Sequence, residues 1–366
     1  MRVGLVIFGS LDTLTGGYFY DRRLLEYLQS RGDQTRVVSL PLRTYSRHLA
    51  DNLSLSLARR LAGDCFDILL QDELNHPSLV MLNRWLKARA GYPIVALVHL
   101  LRSSERRSSP LRHAYRAVER RYLATVDAAV FNCETTREAA EGLLGRRIPG
   151  IVAYPGCDHL GVQISETEIA ARARVMGPLR ILSIANVVPG KGLHVLVGAL
   201  ASLPRESWRL TVAGSLTTDR IYANRLRNLI GRLSLDASVD LLGTVPNQRI
   251  ADLLARSHLL ALPSSYEALG IAYLEAMRFG LPVIATSAGG AHEVVDDGCE
   301  GLFVAPGDVD TLSGHLRTLV TDRELLLRMG LAARRRAARH PTWDQSFACA
   351  RDLLCSRVAS QQRPGR

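Results

Sequence analysis

PSSYEALGIAYLEAMRFGLPVIATSAGGAHEVV, residues 263–295, carries the pattern on which the reading of the whole chain turns. Glu267 and Glu275 stand eight residues apart, and the apolar run that opens near Leu269 has the spacing of a helix. That places Glu267 in the preceding loop and Glu275 about two turns inside. At the rise of an α-helix the two carboxylates lie on the order of 10 Å apart along the axis. Between them are the free N–H groups of the helix start, near Gly270 and Ile271, where unpaired amides and the positive end of the dipole suit an anion. A sugar would meet the first carboxylate, a diphosphate the helix start and a ribose diol the second carboxylate, because a carboxylate accepts two hydrogen bonds from neighbouring hydroxyls. Spacing alone fits equally well a capped surface helix with an incidental acid pair.

Outward from this segment, short apolar runs alternate with helical patterns. In the first half, strands are expected at Val3–Phe8, Thr35–Leu40, Asp67–Gln71, Pro93–Val98 and Asp127–Asn132. Tyr18–Arg31 and Leu111–Ala124 read as amphipathic helices between them. Pro149-Gly150, Pro155-Gly156 and Gly177-Pro178 then bracket a stretch poor in apolar runs, which reads as a linker. The alternation restarts with Leu179–Ala185, Trp208–Ala213, Val239–Leu242, His258–Leu262, Pro282–Ala285 and Leu302–Val304. Such alternation builds parallel sheets with helices on both faces. The expected fold is α/β, two doubly wound Rossmann-like domains facing across a cleft. Residues 1–165 form the acceptor-side domain and 170–341 the nucleotide-sugar domain. A last helix within 342–366, carrying Trp343, Phe347, Leu353, Leu354 and Val358, needs an apolar surface and is expected to return to the first domain.

Composition excludes several classes. The N-terminal MRVGLVIFGS reads as a buried strand and lacks the features of a signal peptide. No run reaches the ~18 apolar residues of a spanning helix. A cytoplasmic protein is expected, able to sit peripherally on the inner face of the membrane. Six scattered cysteines form no CxxC and read as free thiols. The net charge of +11 suits an anionic partner, and it is nearly all arginine, the only lysines being Lys87 and Lys191. Without a zinc finger, an aromatic RNA-binding motif or a basic coiled coil, no nucleic-acid partner is expected. No Gly-x-Gly-x-x-Gly follows either domain's first strand, which disfavours a dehydrogenase.

The 263–295 segment resembles the Glu-x7-Glu signature of the family-4 retaining glycosyltransferases, with the GLPVIAT strand and the Gly289-Gly290 turn ahead of Glu293. SIANVVPGKGLHVLVGAL (183–200) looks like that family's phosphate-binding strand, loop and helix. VDLLGTV (239–245) is similar to its base-facing loop, GLFVAPGDVDTL (301–312) to its last strand and turn, and TGGYFYDRRLLEYLQSRGD (15–33) to its first glycine loop and helix. The resemblance implies the two-Rossmann GT-B fold and a hexosyltransferase that needs neither metal nor cofactor. The donor is a nucleotide-sugar. The acceptor is a glycan, a lipid or a small molecule, with a lipid-linked or cell-surface glycan among the candidates.

Residue by residue, the resemblance implies that Lys191, opening a helix after Pro189-Gly190, neutralises the leaving diphosphate. It implies that His99, at the end of its strand, hydrogen-bonds the transferred sugar, that Glu267 handles the same sugar, and that Glu275 holds the nucleotide. Gly16 and Gly17 offer backbone amides to a phosphate or acceptor. Val245, Leu269, Gly270 and Ile271 complete the donor site. Asn186 departs from the family's usual Arg, and Leu269 from its usual Phe. Asp308-Val309-Asp310 has the form of a metal-binding Asp-x-Asp but stands at a helix start, where an N-cap and acidic first turn explain it.

A sugar-nucleotide epimerase of the same fold should lack the lysine-glycine turn that accompanies Glu-x7-Glu here. A non-catalytic nucleotide-sugar binding protein is favoured only by Asn186. Finally, seven arginines lie between Arg102 and Arg121 against Glu105 and Glu119. Arg112, Arg116 and Arg120 fall at helical spacing as one basic stripe, with Leu111, Tyr115, Val118 and Tyr122 expected to face inward. The stripe suits an anionic acceptor or an anionic membrane, and equally a solvated helix face.

Overall fold

The computed structural model describes residues 1–104, 109–161 and 164–361. The chain divides into two compact units, residues 1–155 with 343–366, and residues 156–342.

The first unit holds strands β1 (Arg2–Phe8), β2 (Gln34–Leu40), β3 (Ile68–Asp72), β4 (Ile94–Val98), β5 (Ala128–Phe131) and β6 (Gly150–Val152). They form one parallel sheet in the order β2-β1-β3-β4-β5-β6. β3 and β4 are buried along their whole length, as strands covered on both faces must be. The second unit holds β7 (Leu179–Ile184), β8 (Trp208–Ala213), β9 (Val239–Gly243), β10 (Leu259–Leu262), β11 (Val283–Thr286) and β12 (Gly301–Val304), parallel in the order β12-β11-β10-β7-β8-β9. In each unit the connections run one way from the first strand and then the other. The strand order therefore reverses beside β1 in the first sheet and beside β7 in the second. Ligands of open α/β sheets bind outside the carboxyl ends of strands at such a reversal.

Two features of the linker reading are corrected. Gly150–Val152 is the sixth strand of the first sheet, pairing with Ala129–Phe131. It carries no apolar run because it is short and only half-buried. Gly150 opens it because a Cβ there would lie 2.1 Å from the Ala129 carbonyl oxygen. Glu166–Arg174 is a helix with a full capping box between Ser165 and Glu168. Ile164, Ile169 and Ala173 enter the core of the second unit. The division thus falls at 155/156 and not between 165 and 170.

The final helix, Trp343–Gln361, belongs to the first unit; residues 362–366 of the expected C-terminal segment lie outside the described residues. Trp343 packs edge-on against Phe19 and Tyr20, and Phe347 against Tyr20. Its polar anchor is Arg351, whose Nε donates to Asp33 Oδ2 at 2.7 Å, while the N-terminal ammonium of Met1 reaches Asp33 Oδ1 at 2.8 Å. Burial alone would raise the Asp33 carboxyl; Arg351 and the ammonium outweigh it and hold the carboxyl below its ordinary value. A carboxyl depressed in the folded state stabilises the fold above its unfolded pKa and loses that contribution as pH falls through the folded one. Asp33→Asn should therefore cost about 1–3 kcal/mol at neutral pH. Its urea midpoint should converge with that of the wild type as the pH drops below the ordinary carboxylate range. Coincident midpoints at every pH would show that the pair contributes nothing.

Candidate functional site

In the second unit the functional side chains follow the two strands beside the reversal. After β7 the chain runs through Asn186 into a short turn, Pro189–Lys191, and then Gly192, whose φ of +67° is left-handed. The helix starts only at Leu193, so Lys191 stands on the turn before it and does not open it. Gly192 is required for a second reason: a Cβ there would lie 2.0 Å from the Pro263 carbonyl oxygen. This close approach brings the turn against the loop after β10, where Ser265 N donates to Gly190 O at 2.7 Å.

That loop carries Glu267. Lys191 Nζ sits 2.6 Å from Glu267 Oε1, and Ser264 Oγ donates to the same oxygen at 2.6 Å. Glu267 Oε2 is left without a partner among the described residues. The backbone of Glu267 is pinned as well. Its N–H donates to Ala288 O, its carbonyl accepts from Gly290 N, and it bridges Gly289. Gly270, with φ +90°, caps the helix Ile271–Arg278. Leu269 is therefore buried in the loop, and Glu275 lies one turn inside the helix, where the sequence suggested two. A glycine cap supplies no side-chain partner; the Tyr273 N–H donates to Gly270 O, and those of Ile271 and Ala272 meet no capping side chain. Glu275 Oε1 meets His159 Nε2 at 3.1 Å, both mostly buried. Val245 is half-buried in the loop between β9 and the helix Asn247–Arg256.

Asn186 is occupied structurally: its Oδ1 accepts from Ser215 N at 3.0 Å, tying the loops after β7 and β8. Asp308 caps the helix Val309–Thr321 through its side chain and Thr311 N, with Asp310 in the first turn. Burial pushes the Cys157 thiol up to about 11 against the pull of Arg278, so it is no ready nucleophile.

In the first unit Gly16 and Gly17 are the first residues of the helix Gly16–Ser30, capped by Thr15. His99 follows β4. Its ring lies against Gly17, where a Cβ would come within 3.1 Å of Cδ2. Its Nε2 is 2.8 Å from Asp21 Oδ1. Arg112, Arg116 and Arg120 are exposed on the helix Ser109–Leu123. Tyr115 and Tyr122 are buried and Val118 half-buried, but Leu111 is 51% exposed, a correction to the inward face. Glu119 is fully buried and accepts from Ser103 N, so it does not neutralise the stripe. Glu105, with Arg106 and Arg107, lies outside the described residues.

Sequence reasoning missed Ser264, His159 and Asp21. A signal existed for Asp21: at i, i+4 from Gly17 it falls in the buried stripe with Leu24, Leu25 and Leu28, an ionisable residue on an apolar face. None existed for His159, which sits in an irregular loop.

Comparison with known proteins decides the family. Residues 165–336 match the model for glycosyl transferases group 1, and residues 12–156 match the glycosyl transferase 4-like domain. The chain belongs to the family-4-type glycosyltransferases. It is 33% identical over 232 residues to an exopolysaccharide phosphotransferase of Streptomyces coelicolor, a match spanning 61% of this chain and 23% of that protein. Among solved structures, sucrose-phosphate synthase from Thermosynechococcus elongatus superposes with TM-score 0.81 at 18% identity, covering 98% of this chain and 99% of that one. Anabaena HepE in complex with UDP-glucose gives 0.76 at 20% identity, with 98% and 100% covered. At such identities the likeness shows the fold, that of this family's two Rossmann-like domains.

Gly289 offers a test of how Glu267 is held. Its φ is +107° and an added Cβ would lie 1.8 Å from the Glu267 carbonyl oxygen. Gly298 has φ +77° with nothing within 4 Å. Gly298→Ala should cost about 1–2 kcal/mol of backbone strain. Gly289→Ala should cost more than that in thermal melts and should also displace Glu267. Equal losses in the two variants would show that the close approach is immaterial.

Proposed function

We propose that this glycosyltransferase moves a hexose from a nucleotide-diphosphate sugar to an acceptor hydroxyl, with retention of anomeric configuration and without a metal. The observation that carries the reading is the convergence of Lys191, Glu267 and the open start of the helix bearing Glu275 beside one strand reversal. An ammonium and free N–H groups suit a departing diphosphate. Glu275 suits a ribose diol and Glu267 the sugar hydroxyls, with Oε2 still open. His99 is assigned a hydrogen bond to the transferred sugar. The acceptor oxygen bonds to the anomeric carbon as the bond to the diphosphate breaks, and a departing phosphate oxygen takes the acceptor proton. Gly16 and Gly17 serve the backbone approach of a ligand. Asn186 leaves Lys191 as the single cation of the loop Asn186–Lys191, so the diphosphate is held more by amides than by charge.

Lys191→Ala, Glu267→Ala, Glu275→Ala and His99→Ala should each keep the fold and lower turnover at least tenfold, about 1.4 kcal/mol of transition-state stabilisation. Glu275→Ala should mainly weaken nucleotide affinity, read by thermal shift with nucleoside diphosphates. Activity should survive EDTA, and NMR of the product should show the donor's anomeric configuration. Wild-type rates in all four variants, an inverted product or a strict need for Mn²⁺ would each overturn the proposal.

For the acceptor we propose an anionic or lipid-linked glycan reached from a membrane surface. No helix among the described residues is long and apolar enough to cross a membrane. The first unit does combine exposed Leu42, Leu53 and Leu55 with the exposed Arg112, Arg116 and Arg120. Tyr45, on the short helix after Leu42, packs against Tyr115 of the arginine helix at 4.6 Å, so the two helices are neighbours. Each basic residue near an anionic surface contributes about 1 kcal/mol. Co-sedimentation with vesicles should require anionic lipid and weaken with salt. It should fall when Arg112, Arg116 and Arg120 become Gln. A triple variant that sediments and glycosylates like the wild type would remove the basic face from the account.

A further inference from the structure

Asp21 is fully buried, and one of its two oxygens, Oδ2, has no hydrogen-bond partner. A carboxylate in that position is costly unless a cation compensates it. The group it touches is His99, whose Nε2 lies 2.8 Å from Oδ1. His99 is held on every other side. Gly17 leaves room for the ring where any side chain would press on it, and Tyr20 stands edge-on at 5.0 Å. Asn132 Nδ2 donates to the His99 carbonyl at 2.9 Å. His99 Nδ1 has no partner among the described residues and is not among the buried unpartnered atoms. It is the ring nitrogen left for a ligand, beside the glycine pair that opens the first helix.

We infer that Asp21 is a positioning residue for the proposed transfer: its buried carboxylate fixes the His99 ring through Nε2 and keeps it cationic, so that Nδ1–H is a charged donor to the sugar. The inference rests on the reading of His99 as a sugar contact and deepens it. The surrounding charges agree. Burial disfavours the imidazolium, but Asp21, with Asp72 and Glu73 behind it, outweighs burial and raises the ring above its ordinary value. Asp72, at the end of β3, is itself pushed up to about 8 by burial and then by Asp21. Burial thus favours the neutral form of Asp72, and Asp21 is the carboxyl that touches the ring. Tyr18 and Tyr20, which flank Asp21 on the first helix, are raised by burial and stay neutral. The ring therefore rests on one buried carboxyl through Nε2, with Nδ1 facing no partner among the described residues.

Asp21→Asn separates geometry from charge, because the amide oxygen still accepts from Nε2 while the negative charge is gone. In the full-length protein, imidazole NMR signals assigned with His99→Ala should give a wild-type His99 midpoint above 6.5. In Asp21→Asn it should fall to or below that value. Turnover of Asp21→Asn should drop about tenfold, the size of one lost charge-assisted contact, at pH above the variant's lowered midpoint. It should recover towards wild type at acid pH, where the ring is protonated without help. Affinity for a nucleoside diphosphate should not change. The Asp21→Asn/His99→Ala double variant should be no slower than His99→Ala alone, because Asp21 acts only through the ring. A wild-type midpoint at or below 6.5 overturns the inference even where Asp21→Asn fails to fold. So does an unchanged midpoint in the variant, a loss equal at every pH, or an additive double variant. If the wild type transfers no sugar, the proposed function falls, while the titration still decides whether Asp21 charges His99.

Discussion

The chemistry of the second unit depends on the pairing of β10 with β7, in which Leu259 and Leu260 lie opposite Ile181 and Leu182. Those two strands are far apart in sequence and adjacent in the sheet. Their carboxyl ends therefore deliver the Lys191 turn and the Glu267 loop to the same place. β10 is buried along its whole length, so packing on both faces of the sheet holds it in place. The two loops are then locked by backbone contact, through the left-handed Gly192 against Pro263 and Ser265 against Gly190. No flexible side chain carries that alignment. The sheet sets where the two loops meet, and the Lys191 side chain spans the rest.

The same logic governs the first unit with different materials. Its reversal lies beside β1, and the residues at or after the carboxyl ends of β1, β3 and β4 include Gly16, Gly17, Asp72 and His99. Here the polar groups are buried and meet one another. Burial favours the neutral form of Asp72, while His99 Nε2 rests on Asp21 Oδ1 and the neighbouring acids raise the ring above its ordinary value. The aromatic residues Tyr20, Trp343 and Phe347 pack around the same helix, so the C-terminal segment contributes to the rigidity of the wall behind His99. A segment remote in sequence is thus part of the support for a side chain near the first glycine pair.

How much of this was legible in the chain follows from which forces act locally. Eleven of the twelve strands among the described residues announce themselves, most of them because a strand covered on both faces is written as an apolar run. The exception, Gly150–Val152, is only three residues long and half-buried. Lys191, Glu267 and Glu275 stand out because glycines and carboxylates interrupt apolar runs at strand ends. Helix starts were less readable: left-handed glycines at 192 and 270 delay both helices past the point where the apolar pattern begins. Leu111 shows a related limit, since helical spacing assigns it to the inner face, whereas it is 51% exposed near the start of the helix. Ser264, Asp21 and His159 act on groups distant in the chain or through hydrogen bonds that no local pattern records, and only the fold brings them into place.

The two ion pairs at the heart of the units differ in a way that suits their proposed tasks. Lys191 keeps 31% of its side chain in water beside Glu267. The partly exposed ammonium can therefore swing to an arriving diphosphate, and Ser264 remains on the Glu267 carboxylate, itself 11% exposed, when it leaves. The Asp21 side chain is fully buried and His99 nearly so. Separating that pair would strand an uncompensated charge, a loss of about 3–5 kcal/mol, which no ordinary ligand contact repays. The first pair is therefore able to exchange partners during a reaction cycle, and the second is not. A leaving group that changes charge calls for a mobile cation, and a sugar that must be held in one orientation calls for a fixed donor. The difference in burial supplies one of each.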